Sequence, residues 1–143
     1  MEIKVKKLDD RAVIPTRGSS MAAGLDLYAV DGVSVGAGET VLVHTGIALA
    51  IPEGYAGFIY ARSGIATKRG LAPANKVGVI DADYRGEIMV ALHNHSTAAQ
   101  AVDAGERVAQ LVVAPFLPVE LVLADALDET ERAAGGFGST GEK

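Results

Sequence analysis

The densest group of side chains able to do chemistry is Gly78-Val79-Ile80-Asp81-Ala82-Asp83-Tyr84-Arg85-Gly86-Glu87, where three acids, a tyrosine and an arginine fall between two β-type runs. Such a group is either a charged hairpin turn or a general base beside an aromatic platform. Arg62-Ser63-Gly64 offers different chemistry. Backbone N–H groups at a helix N-terminus bind anions, and a planar guanidinium suits phosphate. The same three residues also make an ordinary helix cap. Asp26 sits inside the apolar alternation Ala23-Gly24-Leu25-Asp26-Leu27-Tyr28-Ala29. It is either an outward-facing strand residue or a carboxylate near a metal. Gln110, within Arg107-Val108-Ala109-Gln110-Leu111-Val112-Val113, is set among apolar residues, where an amide satisfied by backbone is the plainer reading.

The last chemically suggestive stretch, Gly135-Gly136-Phe137-Gly138-Ser139-Thr140-Gly141, combines glycines, one aromatic and two hydroxyls. It is not a P-loop. That motif needs Gly-Lys-Ser/Thr between a strand and a helix. Here Lys143 is the final residue. Ordering a glycine-rich segment costs roughly 1–2 kcal/mol per residue. Residues from about 132 onward are therefore expected to be mobile unless a ligand or neighbour holds them. The histidines say less. His93 and His95 share a strand face and could form half of a metal site, but no third ligand is evident. His44 reads as structural.

The elements that must position these residues are strands. Short runs rich in Val, Ile, Leu and Tyr alternate with Gly, Pro and Asp punctuation. The pattern predicts strands at Ile3–Lys7, Leu25–Ala29, Thr40–Ala50, Tyr55–Ala61, Lys76–Ile80, Glu87–His93, Arg107–Pro115 and Glu120–Leu123. One helix is predicted after Ser63, with Ser63 as N-cap and Gly70 as its stop. An all-β sandwich or barrel with one short helix follows. With 143 residues, 49% of them apolar, the chain forms one domain with a core built from Val, Ile, Leu and Ala. It has no cysteine, which excludes disulfides, thiolate nucleophiles and cysteine-type zinc sites. The net charge of −5 argues against general nucleic-acid binding, which needs a basic face. No apolar run approaches the roughly 20 residues that span a bilayer, and the N-terminus lacks a signal-peptide core. A soluble cytoplasmic protein without nucleic-acid or membrane partners is the expectation.

Read in order, AGLDLYA, ARSG, GVIDADYRGE, RVAQLVV and RAAGGFGSTG resemble the five motifs of the trimeric dUTPase family over nearly the whole chain. Departures are small. Ala61 stands where Pro or Gly is common, Ala133 where Gly often follows the arginine, and Lys76 where a smaller or apolar residue is usual. The resemblance implies a homotrimer of jelly-roll-like β subunits, with three dUTP sites at the subunit interfaces. Each site would take its first, second and fourth motifs from one chain, its third from another and its fifth from the remaining one. Residues 1–131 would form the β domain, and 132–143 a mobile tail closing over a neighbour's site.

By the same resemblance, Asp81 is the general base for water attack on the α-phosphate, releasing pyrophosphate and dUMP. Arg62, Ser63, Gly64 and Gln110 hold phosphate oxygens. Magnesium is carried mainly by the phosphates, with Asp26 touching it through water. Asn75 and the backbone of Gly78, Val79, Ile80 and Asp81, with Met89 nearby, read uracil. Tyr84 lies under the deoxyribose and excludes a 2′-hydroxyl. From the tail, Arg132, Gly138, Ser139 and Thr140 close over the γ-phosphate and Phe137 stacks on the base. Three other readings stand beside this one. They are a dCTP deaminase or bifunctional relative, a catalytically silent nucleotide-binding module, and a generic β-sandwich interaction protein.

Overall fold

The structure is a computed structural model and describes residues 1–136. The strands, in chain order, are β1 (Lys4–Lys7), β2 (Thr16–Arg17), β3 (Leu25–Tyr28), β4 (Val33–Val35), β5 (Thr40–His44), β6 (Ile47–Ala50) and β7 (Tyr55–Tyr60). The helix α1 (Ser63–Arg69) follows, and then β8 (Leu71–Pro73), β9 (Gly78–Ile80), β10 (Met89–Asn94), β11 (Gln100–Val102) and β12 (Arg107–Pro115). Every pairing among the described residues is antiparallel. The largest sheet runs β2-β3-β12-β7-β9; smaller ones are β5-β10-β8, β1-β6 and β11-β4. The described residues thus form an all-β, jelly-roll-like fold with one short helix, as the resemblance implies.

Alternation explains which faces close on the core. In β10, Val90, Leu92 and Asn94 point inward while Met89, Ala91 and His93 are only partly covered. Leu27, Val35, Val43, Ile47, Leu71, Leu92 and Leu111 are fully or almost fully buried. Aliphatic side chains thus supply the hydrophobic driving force. Asn94, also buried, donates from Nδ2 to the Val35 and Ala98 carbonyls and accepts from Ser96. Its burial therefore leaves no polar atom orphaned.

Strand ends shift by one or two residues, as where β9 starts at Gly78 rather than Lys76 and β10 runs Met89–Asn94 rather than Glu87–His93, and three expectations need larger correction. Thr40–Ala50 is two strands, broken at Thr45-Gly46. Gly46 has φ +67°, and a Cβ there would stand 2.8 Å from the Ala12 and Val30 side chains. The turn therefore tolerates only glycine. Glu120–Leu123 forms no strand, because nothing in the described chain pairs with it; Leu121 and Leu123 are 93% and 98% exposed. Finally, the N-cap of α1 is Arg62 rather than Ser63. Arg62 keeps extended geometry (φ −90°, ψ 129°) from β7, so Ser63 becomes the first helical residue and no side chain caps the helix. Gly70 ends it in the left-handed conformation, as expected. The short strands β2, β4, β8 and β11 went unanticipated.

Candidate active site

Asp26 is central to one half of the site. On β3 it faces Gln110 of β12 across the strand pair. Its carboxylate is held on both oxygens: Arg62 Nε donates to Oδ1 at 2.7 Å, and Arg107 Nη1 to Oδ2 at 3.3 Å. A β-bulge between Arg107 and Ala109 creates this arrangement. The extra residue lets Val108 and Ala109 both enter the core, so Arg107 and Gln110 both turn outward beside Asp26. Gln110 Nε2 donates to the Ala61 carbonyl at 2.9 Å, tying β12 to the end of β7. Gly24 leaves room for that amide, since a Cβ there would overlap Gln110 Oε1.

Arg62 joins this cluster because β7 ends beside β12 and the chain then turns into α1. With Nε spent on Asp26, its terminal nitrogens remain for an anion. Ser63 and Gly64 follow on the first, exposed turn of the helix. The leading N–H groups of a helix lack intrahelical partners. The cluster is cationic, with Asp26, Arg62 and Gln110 partly covered and Ser63, Gly64 and Arg107 exposed, and it is suited to phosphate. Arg107 is the member that sequence reasoning missed. Its place beside an apolar run gave only its position in the fourth motif, and its role depends on the bulge.

The other half is a cleft of about 250 Å³ lined by Asn75, Val79, Ile80, Asp81, Tyr84 and Met89, with Leu42, Glu87 and Ala91 completing it. Gly78 is buried at the start of β9, with Asn75 against it. Asp81 is exposed where β9 ends, and among the described residues nothing hydrogen-bonds its carboxylate. Tyr84 folds back over Gly86 and donates its hydroxyl to the Glu87 carbonyl at 2.9 Å.

The two groups lie apart within the chain. In the β7–β9 pairing, Ile80 faces Gly57 and Gly78 faces Ile59. Asp81 therefore lies beside the beginning of β7, whereas Arg62 follows its end. Some six residue steps at ~3.3 Å each separate their positions along the strand by about 20 Å.

Arg132 stands apart from both halves, donating through Nε to the Gly135 carbonyl at 2.8 Å in an exposed turn. Phe137, Gly138, Ser139 and Thr140 lie outside the described residues. The His93 and His95 rings are 4.4 Å apart, edge to face, and His93 Nδ1 bonds Thr40 Oγ1 at 2.8 Å. Local desolvation, followed by the charges of Lys76 and His93, holds the pKa of the exposed His95 below its ordinary value. Among the described residues no group of three or more His, Asp or Glu could hold a metal ion.

The chain is similar to known proteins along nearly its whole length. The dUTPase family model matches residues 10–141. The deoxyuridine 5'-triphosphate nucleotidohydrolase of Hydrogenobaculum sp. is 51% identical, with 100% of both chains covered. That of Nautilia profundicola is 46% identical, covering 99% of this chain and 100% of its own. A solved structure of the G164S mutant of Staphylococcus bacteriophage 80alpha dUTPase with dUpNHpp superposes with a TM-score of 0.92 at 28% identity, covering 99% of each chain. A dUTPase from phage phi11 of S. aureus, described with a structural Mg(II) ion, has a TM-score of 0.81 at 26% identity over 88% of this chain and 98% of its own. The chain belongs to the dUTPase family.

Proposed function

We propose that this protein hydrolyses dUTP to dUMP and pyrophosphate in sites shared between the subunits of a homotrimer. The observation that carries the reading is the separation of two complementary half-sites. A nucleoside-sized cleft ending in an exposed carboxylate lies at one end of β7, and a cation cluster suited to phosphate at the other. About 20 Å of strand separates Asp81 from Arg62 of the same chain, too far for both to act on one phosphate group. A neighbour supplying Arg62, Ser63, Gly64 and Gln110 completes the site. In the exposed apolar arm at 116–127, Leu117 is 83% and Leu127 88% exposed. That arm also favours an assembly that covers it.

In this reading Asp81 accepts the proton of a water as that water attacks the α-phosphorus in line, and pyrophosphate leaves. The Arg62 guanidinium and the first-turn N–H groups of α1 hold phosphate oxygens, and Gln110 orients them. Asn75 and the β9 backbone present uracil with a hydrogen-bonding pattern that cytosine cannot match. Unpaired groups in a closed site discriminate strongly. Tyr84 packs where a ribose 2′-hydroxyl would project. Residues 132–143 act as the closing tail, with Arg132 and Phe137 over phosphate and base.

The donor set fits magnesium carried by the substrate. Both Asp26 oxygens already accept charge-assisted bonds. The carboxylate is left able to touch a metal-bound water but poorly placed to displace one. When bound with the nucleotide, the ion supplies neutralisation of phosphate charge. The product dUMP would feed thymidylate synthesis while uracil is kept out of DNA, in the cytoplasm.

The test is pyrophosphate release from dUTP, dCTP, dTTP and UTP with magnesium, repeated with EDTA. dUTP should be cleaved far faster than the others, and chelation should abolish the reaction. Similar rates on all four nucleotides would refute the substrate assignment. Ammonia release from dCTP would instead point to a deaminase.

A further inference from the structure

The geometry points to Glu87 as a positioning residue that gives Tyr84 its power to reject ribonucleotides, acting through an anchor on the opposite strand. The inference rests on the reading of Tyr84 as the sugar gate, and it concerns what holds that gate still.

An aromatic ring excludes a hydroxyl only if it cannot retreat. Tyr84 is 40% exposed on a loop between β9 and β10, so packing alone does not fix it. Two contacts do. A Cβ on Gly86 would overlap the Tyr84 hydroxyl and stand 2.6 Å from Cζ, so the ring lies directly against the glycine backbone. The hydroxyl donates to the Glu87 main-chain carbonyl at 2.9 Å. The ring is therefore only as steady as the backbone at Gly86-Glu87.

The Glu87 side chain anchors that backbone. Its Oε1 accepts the Gly46 N–H at 2.8 Å, and its Oε2 pairs with His44 Nδ1 at 2.9 Å. Gly46 belongs to the tight, glycine-only turn between β5 and β6, and its carbonyl accepts from Leu8 N at 2.7 Å. The next residue, Ile88, is fully buried and donates its N–H to the Ile47 carbonyl at 2.8 Å. On the other side of the loop, Arg85 Nη1 donates to the Ala82 and Tyr84 carbonyls. Glu87 thus joins the sugar side of the cleft to the rigid turn that follows β5, the strand paired with β10. Without its carboxylate, the Glu87 carbonyl keeps only the Ile88 N–H bond of its own peptide unit to Ile47, and the Gly86-Glu87 backbone under the ring can tilt about that one point.

The expected signature is a change in discrimination rather than a uniform loss. The full-length enzyme would be assayed for kcat/KM on dUTP and UTP with magnesium. Glu87→Ala should lower the dUTP-to-UTP ratio about tenfold, the scale of one charge-assisted hydrogen bond. Glu87→Gln keeps an acceptor for Gly46 and a donor for neutral His44, and should stay within about twofold of the parent. Tyr84→Phe should lower the ratio as Glu87→Ala does, and adding Glu87→Ala to it should change little further. If Glu87→Ala gives no folded protein, Glu87→Asp decides, because the side chain one methylene shorter is drawn back from both Gly46 and His44: a reduced ratio supports the anchor, and a parental ratio overturns it. Equal losses on both nucleotides in Glu87→Ala would show a merely structural role and overturn the inference, as would no loss at all. Tyr84→Ala separates the layers. If it collapses the ratio while Glu87→Ala does not, the gate stands and the anchor falls. If it leaves the ratio unchanged, the gate fails and the anchor with it.

Discussion

Asp81 and Arg62 flank opposite ends of β7, Asp81 beside Ala56 and Arg62 two residues beyond Tyr60. One places an exposed carboxylate at the edge of the nucleoside-sized cleft, and the other leads a cation cluster. In the proposed reading, each is of little catalytic use without a copy of the other from a neighbouring chain.

Asp81→Asn should preserve folding and binding of a non-hydrolysable dUTP analogue while reducing turnover by about 10²–10⁴-fold, the usual worth of a positioned base. The amide still hydrogen-bonds water but cannot take its proton. Near-normal turnover in the purified variant would remove Asp81 from that role.

Gly24→Ala tests the packing that aims Gln110. The new methyl overlaps Oε1 and lies 3.2 Å from the Gln110 Cβ, so the amide must swing away from Ala61. Because the obstructed group is a movable side-chain end, the fold should survive. A loss of roughly tenfold in kcat/KM, with a melting temperature close to the parent's, is expected from one misplaced hydrogen-bonding group. Unchanged kinetics would mean that Gln110 does not need its present position.

Arg107→Ala removes one of the two guanidiniums on Asp26. The arginine side chain is half exposed. Solvent screening therefore limits the loss to about 1 kcal/mol or less. A several-fold fall in kcat/KM, partly restored in Arg107→Lys, is the expected result. Full activity of Arg107→Ala at low and high salt would show that Arg62 alone holds Asp26.

Lys76 has φ +66°. That left-handed conformation disfavours a side chain. Lys76→Gly should stabilise the protein by about 0.5–1 kcal/mol, read from the denaturant midpoint, after part of the relief is offset by glycine's greater unfolded-state freedom. Marked destabilisation would show that the Lys76 side chain makes a contact worth more than the strain.

The sequence exposes strongly alternating elements well. The β10 pattern and the Gly70 stop of α1 could be read directly, because side-chain period and backbone freedom are local properties. Strands of two or three residues, such as β2 and β11, carry too little pattern to announce themselves. Glu120–Leu123 misled because its apolar residues find no partner among the described residues of their own chain. Ser63 misled as an N-cap because Arg62 is held extended by β7 and by Asp26, both tertiary effects. At the site, Asp26, Arg62, Gln110 and Asp81 were each visible as residues. The Arg107 contact and the Glu87 anchor were not, since they depend on a bulge and on cross-strand register that no local window contains.

The shared-site arrangement is tested most directly by mixing two inactive variants, Asp81→Asn and Arg62→Ala, and refolding them together. In a closed three-fold ring, every mixed trimer contains one interface where an intact Asp81 meets an intact Arg62. Random equal mixing makes about three quarters of trimers mixed, so about a quarter of all sites should regain dUTP hydrolysis. A return of activity to near that fraction is the predicted result. No recovery, with mixed trimers confirmed by mass, would contradict the account, because it would place both residues of each working site in one chain.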